Sequence, residues 1–349
     1  MLNELYPVFF KKYEQLTIRY DSDQASLWCY MNPHPRPCFT PTLLSEIRQL
    51  QQSIFDSFES SQLTELYPIN YIVLASQVPG TFNLGGDLNL FAKHIVNKDR
   101  DHLLHYATAC IDILYNNAVN MHRPLTTISL VEGSALGGGF EAALSSNIII
   151  AERSAELGLP EILFNLFPGM GAYSLLARRI GMIEAEKMIT SGKVYKADEL
   201  YEMGVVDVLS EDGEGKQTIQ NYIKHHKRSS NGLRAIHSAR QRFSPITYEE
   251  LMDITKIWVD AAMNLTKREI RIMERLVSAQ DRRLNKSLTA SGRIPVLRTK
   301  QDRRIYKTSE LPLCDSQGNL IKHDRRKAND RRQVPETETE QQQLTPEMT

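Results

Sequence analysis

Aliphatic and β-branched runs at residues 69–74, 126–131, 146–151 and 155–159 read as short buried strands. Upstream, residues 15–20 and 25–31 read as the arms of a hairpin that turns at Asp21, Ser22 and Asp23. Pro33, Pro35 and Pro37 then stop any strand, because each removes a backbone donor. Helical spacing takes over at Leu43, Leu44, Ile47, Leu50 and Ile54, behind a start at Thr40 and Pro41. A second long helix is predicted over 99–121, ending before Pro124. Shorter helices follow over 172–180, 184–190 and 197–203, with a strand at 205–209. After a hydrophilic stretch at 211–215, a helix reaches about residue 228. Residues 248–280 are amphipathic, with Leu251, Ile254, Ile257, Trp258, Ala261, Leu265, Ile272, Met273 and Leu276 near helical spacing. Strand–turn–helix units thus recur three times before residue 170. Periodicity alone suits a wound ββα superhelix and a doubly wound parallel sheet equally.

The strand-to-helix turns carry the candidate chemistry. After the strand at 126–131 come Gly137, Gly138 and Gly139, and an alanine-rich helix opens at Phe140. Such a turn aims backbone N–H groups and the positive end of the helix dipole at whatever lies in front of it. Glycine lets a ligand approach the main chain where a Cβ would collide. Glu141 stands in the first turn of that helix, beside the donors, as suits stabilisation of an oxyanion. Gly85 and Gly86 repeat the arrangement upstream, with Asp87 placed to cap the next helix. Downstream, Glu161 follows Pro160 amid leucines and phenylalanines, where a carboxyl resists ionisation and its pKa rises. Read singly, the glycines suit a close packing turn and Glu161 a helix-start carboxylate. They fit neither the dinucleotide spacing nor a phosphate loop.

Together, residues 76–91, 129–144 and 156–171 resemble the crotonase (enoyl-CoA hydratase/isomerase) superfamily in order, spacing and residue type. The resemblance implies an α/β chain: a crotonase-like ββα superhelix with a C-terminal helical region. The core would span 1–210, and a helical region over 211–280 would supply the acyl-pocket wall and oligomer contacts, in a trimer or a multiple of one. It further implies that Gly86 and Gly138 bind the thioester oxygen and that Glu141 and Glu161 are paired catalytic carboxylates. Gly85, Leu136, Gly137, Met170 and Trp258 would contact substrate, with Trp258 as a hydrophobic wall setting chain length. No cofactor is implied. Within the superfamily, residues 82–91, 158–171 and 258–263 look like the diffusible signal factor synthases, over a similarity running from about residue 16 to residue 280.

Composition narrows the picture. With 349 residues, 41% hydrophobic and 24% charged, the chain suits a soluble globular protein with a sizeable core. Its 42 basic and 42 acidic residues cancel, but unevenly. Residues 281–332 carry a net +9 against −5 before and −4 after, so 281–349 reads as a mostly disordered tail, basic and then acidic. A solvated tail is the simplest account of it, and contact with an acidic carrier, a membrane surface or nucleic acid is the other, with nucleic acid not expected. Cys29, Cys38, Cys110 and Cys314 are scattered, without metal or disulfide spacing. His34 is isolated, and His94, His102 and His105 lie on or near a helical segment without a carboxylate partner at ligand spacing, so no metal is expected. No signal peptide or membrane-length apolar run is visible, and a cytoplasmic location is expected.

The resemblance implies dehydration of a 3-hydroxyacyl thioester, carried on acyl carrier protein, with thioester hydrolysis to a cis-2-unsaturated fatty acid signal. An ordinary enoyl-CoA hydratase of fatty acid metabolism, acting on CoA esters, is the alternative enzyme. A different class is a regulatory binding protein held by a sensor-kinase receiver domain, as the signal synthases are.

Overall fold

The computed structural model describes residues 11–290, together with the short strands Leu313–Cys314 and Leu320–Ile321. The chain divides into compact units at 1–296 and 297–349. In the second, the described residues are those two strands, paired antiparallel. The tail expected to be disordered over 281–349 is helical over 281–290, because the helix Lys267–Ala290 continues through it, and apart from the two short strands the rest lies outside the described residues.

Among the described residues, ten strands build the first unit: β1 (Leu16–Asp21), β2 (Ser26–Met31), β3 (Tyr71–Ser76), β4 (Thr81–Asn83), β5 (Thr126–Val131), β6 (Ser134–Leu136), β7 (Ile148–Glu152), β8 (Glu156–Gly158), β9 (Val194–Lys196) and β10 (Val208–Ser210). They form a six-stranded sheet in the order β1-β2-β3-β5-β7-β10 and a four-stranded sheet in the order β4-β6-β8-β9. The hairpin β1–β2 is antiparallel, and β2, β3, β5, β7 and β10 run parallel. Strands β4, β6 and β8 are also parallel, and each follows a long strand of the first sheet, β3, β5 and β7 in turn. The chain then crosses back through Leu88–Val96, through Gly138–Leu144, or through the 3-10 turn Pro160–Phe164. This is the ββα superhelix, and it settles the choice that periodicity left open.

Burial explains the strands. All six residues of β5 and all five of β7 are buried, as near-continuous aliphatic runs require when both faces are covered. The helix Pro41–Glu59 starts as its sequence dictates: Thr40 Oγ1 accepts from Leu43 N at 3.0 Å, and Pro41 occupies the first helical position. Its Leu43, Leu44, Ile47, Leu50 and Ile54 all enter the main core, packed against the helix Arg100–Ala118. The amphipathic stretch at 248–280 is two helices, Tyr248–Met263 and Lys267–Ala290, interrupted at Asn264. A helix that the sequence reading did not announce, Ser230–Phe243, buries only His237. Among the described residues no helix is long and apolar enough to cross a membrane.

The reading of the histidines needs correction. Asp99 caps the helix Arg100–Ala118 and lies within 3.1 Å of His94 and 2.8 Å of His102. A tight turn folds the helix Leu88–Val96 onto its successor, so a carboxylate does stand between the two imidazoles.

Helix and strand meet main chain to main chain at Gly139, where a Cβ would fall 2.0 Å from the Asn83 carbonyl oxygen. Gly139→Ala is therefore expected to destabilise the fold by about 2–4 kcal/mol, read as a lower urea midpoint at unchanged m. A midpoint equal to that of the parent would show that the helix moves aside at no cost.

Candidate active site

Two glycine turns, some fifty residues apart in sequence, touch. Gly85 adopts φ +87°, and a Cβ there would lie 2.7 Å from Gly138 N and 2.8 Å from Leu136 O. Conversely, a Cβ on Gly138 would reach within 3.4 Å of Gly86 N. The first turn is tied down on every side. Asn83 Oδ1 accepts from Gly85 N at 2.7 Å, Pro37 O from Leu84 N at 2.7 Å, and Gly85 O from Phe39 N at 2.8 Å. The proline-rich link that ended the hairpin thus serves as a brace. Tyr106 donates its hydroxyl proton to Phe39 O and accepts from Asp87 N at 3.2 Å. Asp87 in turn caps the helix Leu88–Val96 through Asn89 N and Leu90 N. Gly138 is the first residue of its own helix, so its N–H has no carbonyl partner within that helix.

The two acids reach this point from different elements. Glu141, in the first turn of the helix Gly138–Leu144, is 2% exposed, and its Oε1 accepts from Met170 N at 2.8 Å and Ala172 N at 3.0 Å. Burial raises its pKa to about 7, against the pull of those two donors. Glu161 sits in the 3-10 turn Pro160–Phe164, held by Leu166 N on its carbonyl. Gly137, at φ +53°, makes room for it: a Cβ there would lie 2.5 Å from Glu161 Oε1. The buried Oε2 of Glu161 has no hydrogen-bond partner among the described residues. Burial first, and the charge of Glu141 second, push its pKa up to about 8.

Both acids line a cavity of about 250 Å³. Gly86, Leu136, Gly137, Gly138, Met170 and Trp258 line it too, so the structure brings eight of the nine residues singled out in the sequence to one wall. Gly85 stands behind that wall as the hinge of the turn. Trp258 is pressed against Gly169, where a Cβ would lie 2.2 Å from its Cγ, and Thr255 Oγ1 holds Gly169 O at 2.9 Å. Its ring meets Phe91 edge to face, with centroids 5.1 Å apart. Phe91 went unnoticed in the sequence, yet its ring lies where a Gly86 Cβ would be, 2.4 Å away. The helical spacing from Asp87 was the signal that placed it. Gly192, which ends the helix Met182–Ser191, and Val194, in the three-residue β9 that leaves no pattern, also reach the cavity.

Residues 40–286 match the family described as enoyl-CoA hydratase/isomerase. The chain belongs to that family. Methylglutaconyl-CoA hydratase, mitochondrial, of Rattus norvegicus is 34% identical over 148 residues, 42% of this chain and 45% of the rat protein. The peroxisomal fatty acid beta-oxidation multifunctional protein AIM1 of Arabidopsis thaliana is 32% identical over 143 residues, 41% of this chain and 19% of that one. The chain thus spans less than half the length of these curated relatives. Among solved structures, a polyketide biosynthesis enoyl-CoA hydratase (pksH) of Bacillus subtilis superposes with a TM-score of 0.60 at 18% identity, over 77% of this chain and 99% of that one. DspI of Pseudomonas aeruginosa gives 0.52 at 24%, over 83% and 98%. At these identities the likeness is one of fold, and it is the crotonase fold.

An acid whose folded pKa is raised binds its proton more tightly in the native state. Glu161 therefore costs nothing below its ordinary pKa near 4.5, and its burial penalty grows as pH rises through about 8. Glu161→Gln is expected to raise Tm by roughly 5 °C at pH 8.5. The gain should vanish near pH 4, and a gain independent of pH would show that the carboxyl is not strained by burial.

Proposed function

We propose that the protein removes water from a 3-hydroxyacyl thioester and then hydrolyses the thioester, releasing a cis-2-unsaturated fatty acid. The observation that carries this reading is the pairing of Glu141 and Glu161 in an apolar cavity that also holds the Gly86 and Gly138 turns. Glu161, as carboxylate, takes the C2 proton. The two glycine N–H groups hold the enolate oxygen, each such donor contributing about 3–4 kcal/mol. Glu141, as carboxylic acid, protonates the C3 hydroxyl, which leaves as water. The reaction needs one proton between the two acids; pKa values of about 7 for Glu141 and about 8 for Glu161 leave one there near neutrality, resting on Glu161, so the reactive arrangement with the proton on Glu141 is the less populated form of the pair. In the second step a carboxylate takes a proton from water as its oxygen attacks C1, and the same amides hold the new oxyanion. The C–S bond breaks, and the thiol leaves with that proton. One water is lost and one consumed, so the products are the enoic acid and the free thiol.

Room for the tail supports an acyl substrate. Behind Gly138 and Met170 lies a second chamber of about 60 Å³, lined by Ile47, Leu50, Ile54, Ile113, Leu114 and Ala142 among others. Its polar lining is already engaged: Gln51 Nε2 donates to Ile113 O at 2.8 Å, and Asn117 Nδ2 to Ser145 Oγ at 2.9 Å. Such a chamber offers mainly hydrocarbon surface, with the Cys29 and Cys110 thiols among it, and space for roughly four or five water-sized groups. Trp258 walls the outer cavity, and acyl carrier protein is the proposed carrier. The names of the curated relatives favour a second reading, hydration of an enoyl-CoA without thioester cleavage.

Mass spectrometry of the products from 3-hydroxyacyl-carrier protein and from enoyl-CoA separates the two: a free cis-2-enoic acid in one case, a 3-hydroxyacyl-CoA in the other. Glu141→Gln and Glu161→Gln should each lower kcat at least a hundredfold. Undiminished product formation by either variant refutes the assigned roles. Ala142→Phe should fill the inner chamber and move the preferred substrate to shorter chains, by about tenfold in relative kcat/KM for the longest. An unchanged preference would place the tail elsewhere.

A further inference from the structure

Away from the cavity, at the far end of the helix Leu88–Val96, two imidazoles meet one carboxylate. His94 Nδ1 lies 3.1 Å from Asp99 Oδ2, and His102 Nδ1 lies 2.8 Å from Asp99 Oδ1. The two rings face each other, 4° from parallel with centroids 5.5 Å apart. One potential ligand atom from each residue falls within 4.8 Å of the other two. Capping of the helix Arg100–Ala118 accounts for one contact here, His102 N to Asp99 Oδ1 at 3.3 Å. It does not account for an imidazole on each carboxylate oxygen. The backbone preorganises the cluster: Asp99 N donates to His94 O at 2.8 Å across the tight turn. Neighbouring cations that would repel a metal ion are bound elsewhere, Lys98 Nζ to Met263 O at 2.6 Å and Arg100 Nε to Asp260 Oδ1 at 2.8 Å.

We propose that His94, Asp99 and His102 form a binding site for a divalent transition ion of the Zn²⁺ class. Two nitrogens and one carboxylate oxygen suit such an ion, whereas Ca²⁺ and Mg²⁺ take oxygen ligands. Bonds of about 2.0–2.2 Å need a tighter set than the one observed, and the 74%-exposed side chain of His102 is free to swing in and close it. His94, 13% exposed, is the fixed ligand on the protein side. Three protein ligands leave the remaining positions to water. The ion would clamp the helix Leu88–Val96 to the helix Arg100–Ala118. The first of these helices begins beside Gly86 and carries Phe91 onto Trp258, so the clamp fixes the cavity wall from outside. Unlike the catalytic reading, this site requires nothing of Glu141 or Glu161.

The test titrates the purified, EDTA-treated full chain with Zn²⁺ by calorimetry and with Co²⁺ by its visible absorption. The parent should bind one equivalent with micromolar affinity and gain several degrees in Tm. His94→Ala and His102→Ala should each weaken that binding at least tenfold, and the double variant should abolish it together with the Tm gain. Asp99→Asn keeps a capping oxygen for the helix, so it folds with its cap intact while binding should still weaken at least tenfold. Absence of binding to the parent, or an affinity unchanged in the double variant or in Asp99→Asn, overturns the site.

Discussion

The site depends on one close approach of main chain to main chain. With Gly85 in a left-handed conformation and Gly138 against it, the turns after β4 and β6 share a boundary that no side chain could occupy. This follows from the superhelix: β4 and β6 are parallel neighbours, so the turns that leave them emerge side by side. Gly139 lets the helix Gly138–Leu144 lie against the Asn83 carbonyl, which sets how near the two turns come. Phe39, Tyr106 and Asn83 then lock the upstream turn, so its amides are aimed before any ligand arrives. A site organised in advance stabilises developing charge without reorganising as it reacts.

The second constraint is electrostatic. Glu141 and Glu161 come from consecutive turns of the superhelix and meet in apolar surroundings, where ionising both is unfavourable. Glu141 has two backbone donors, from Met170 and Ala172, to steady its charge, while the buried oxygen of Glu161 has none among the described residues. The fold tolerates that unpaired oxygen at a cost in stability, as proteins do where chemistry needs a strained group. Gly138 and Met170 line both the cavity that holds the acids and the inner chamber behind it.

Long elements with strong patterns were legible in advance. The strand 126–131 and the Thr40 and Asp87 caps lie where hydrophobic runs and capping chemistry put them. Short or barely buried pieces were not: β4, β6 and β9 have three residues each, and the helix Ser230–Phe243 buries one side chain. Phe91 was missed for another reason. Its partners, Gly86 and Trp258, are respectively a local neighbour around a turn and a residue on a distant helix. Asp99 escaped notice beside His94 because that contact crosses from one helix to the next, although His102 lies within the first turn that Asp99 caps.

By itself, then, the sequence determined the kinds of residue available and the local geometry around them. Glycines sat where turns needed them, acids followed donors or prolines, and aliphatic runs were long enough to be buried strands. Tertiary structure alone decided that Gly85 touches Gly138, that Gly137 leaves space for Glu161, and that Trp258 closes over Gly169. Propensity and capping act within a few residues of chain, whereas these contacts join positions from about 24 to 90 apart. Only the packing of successive turns of the superhelix brings such positions within van der Waals reach.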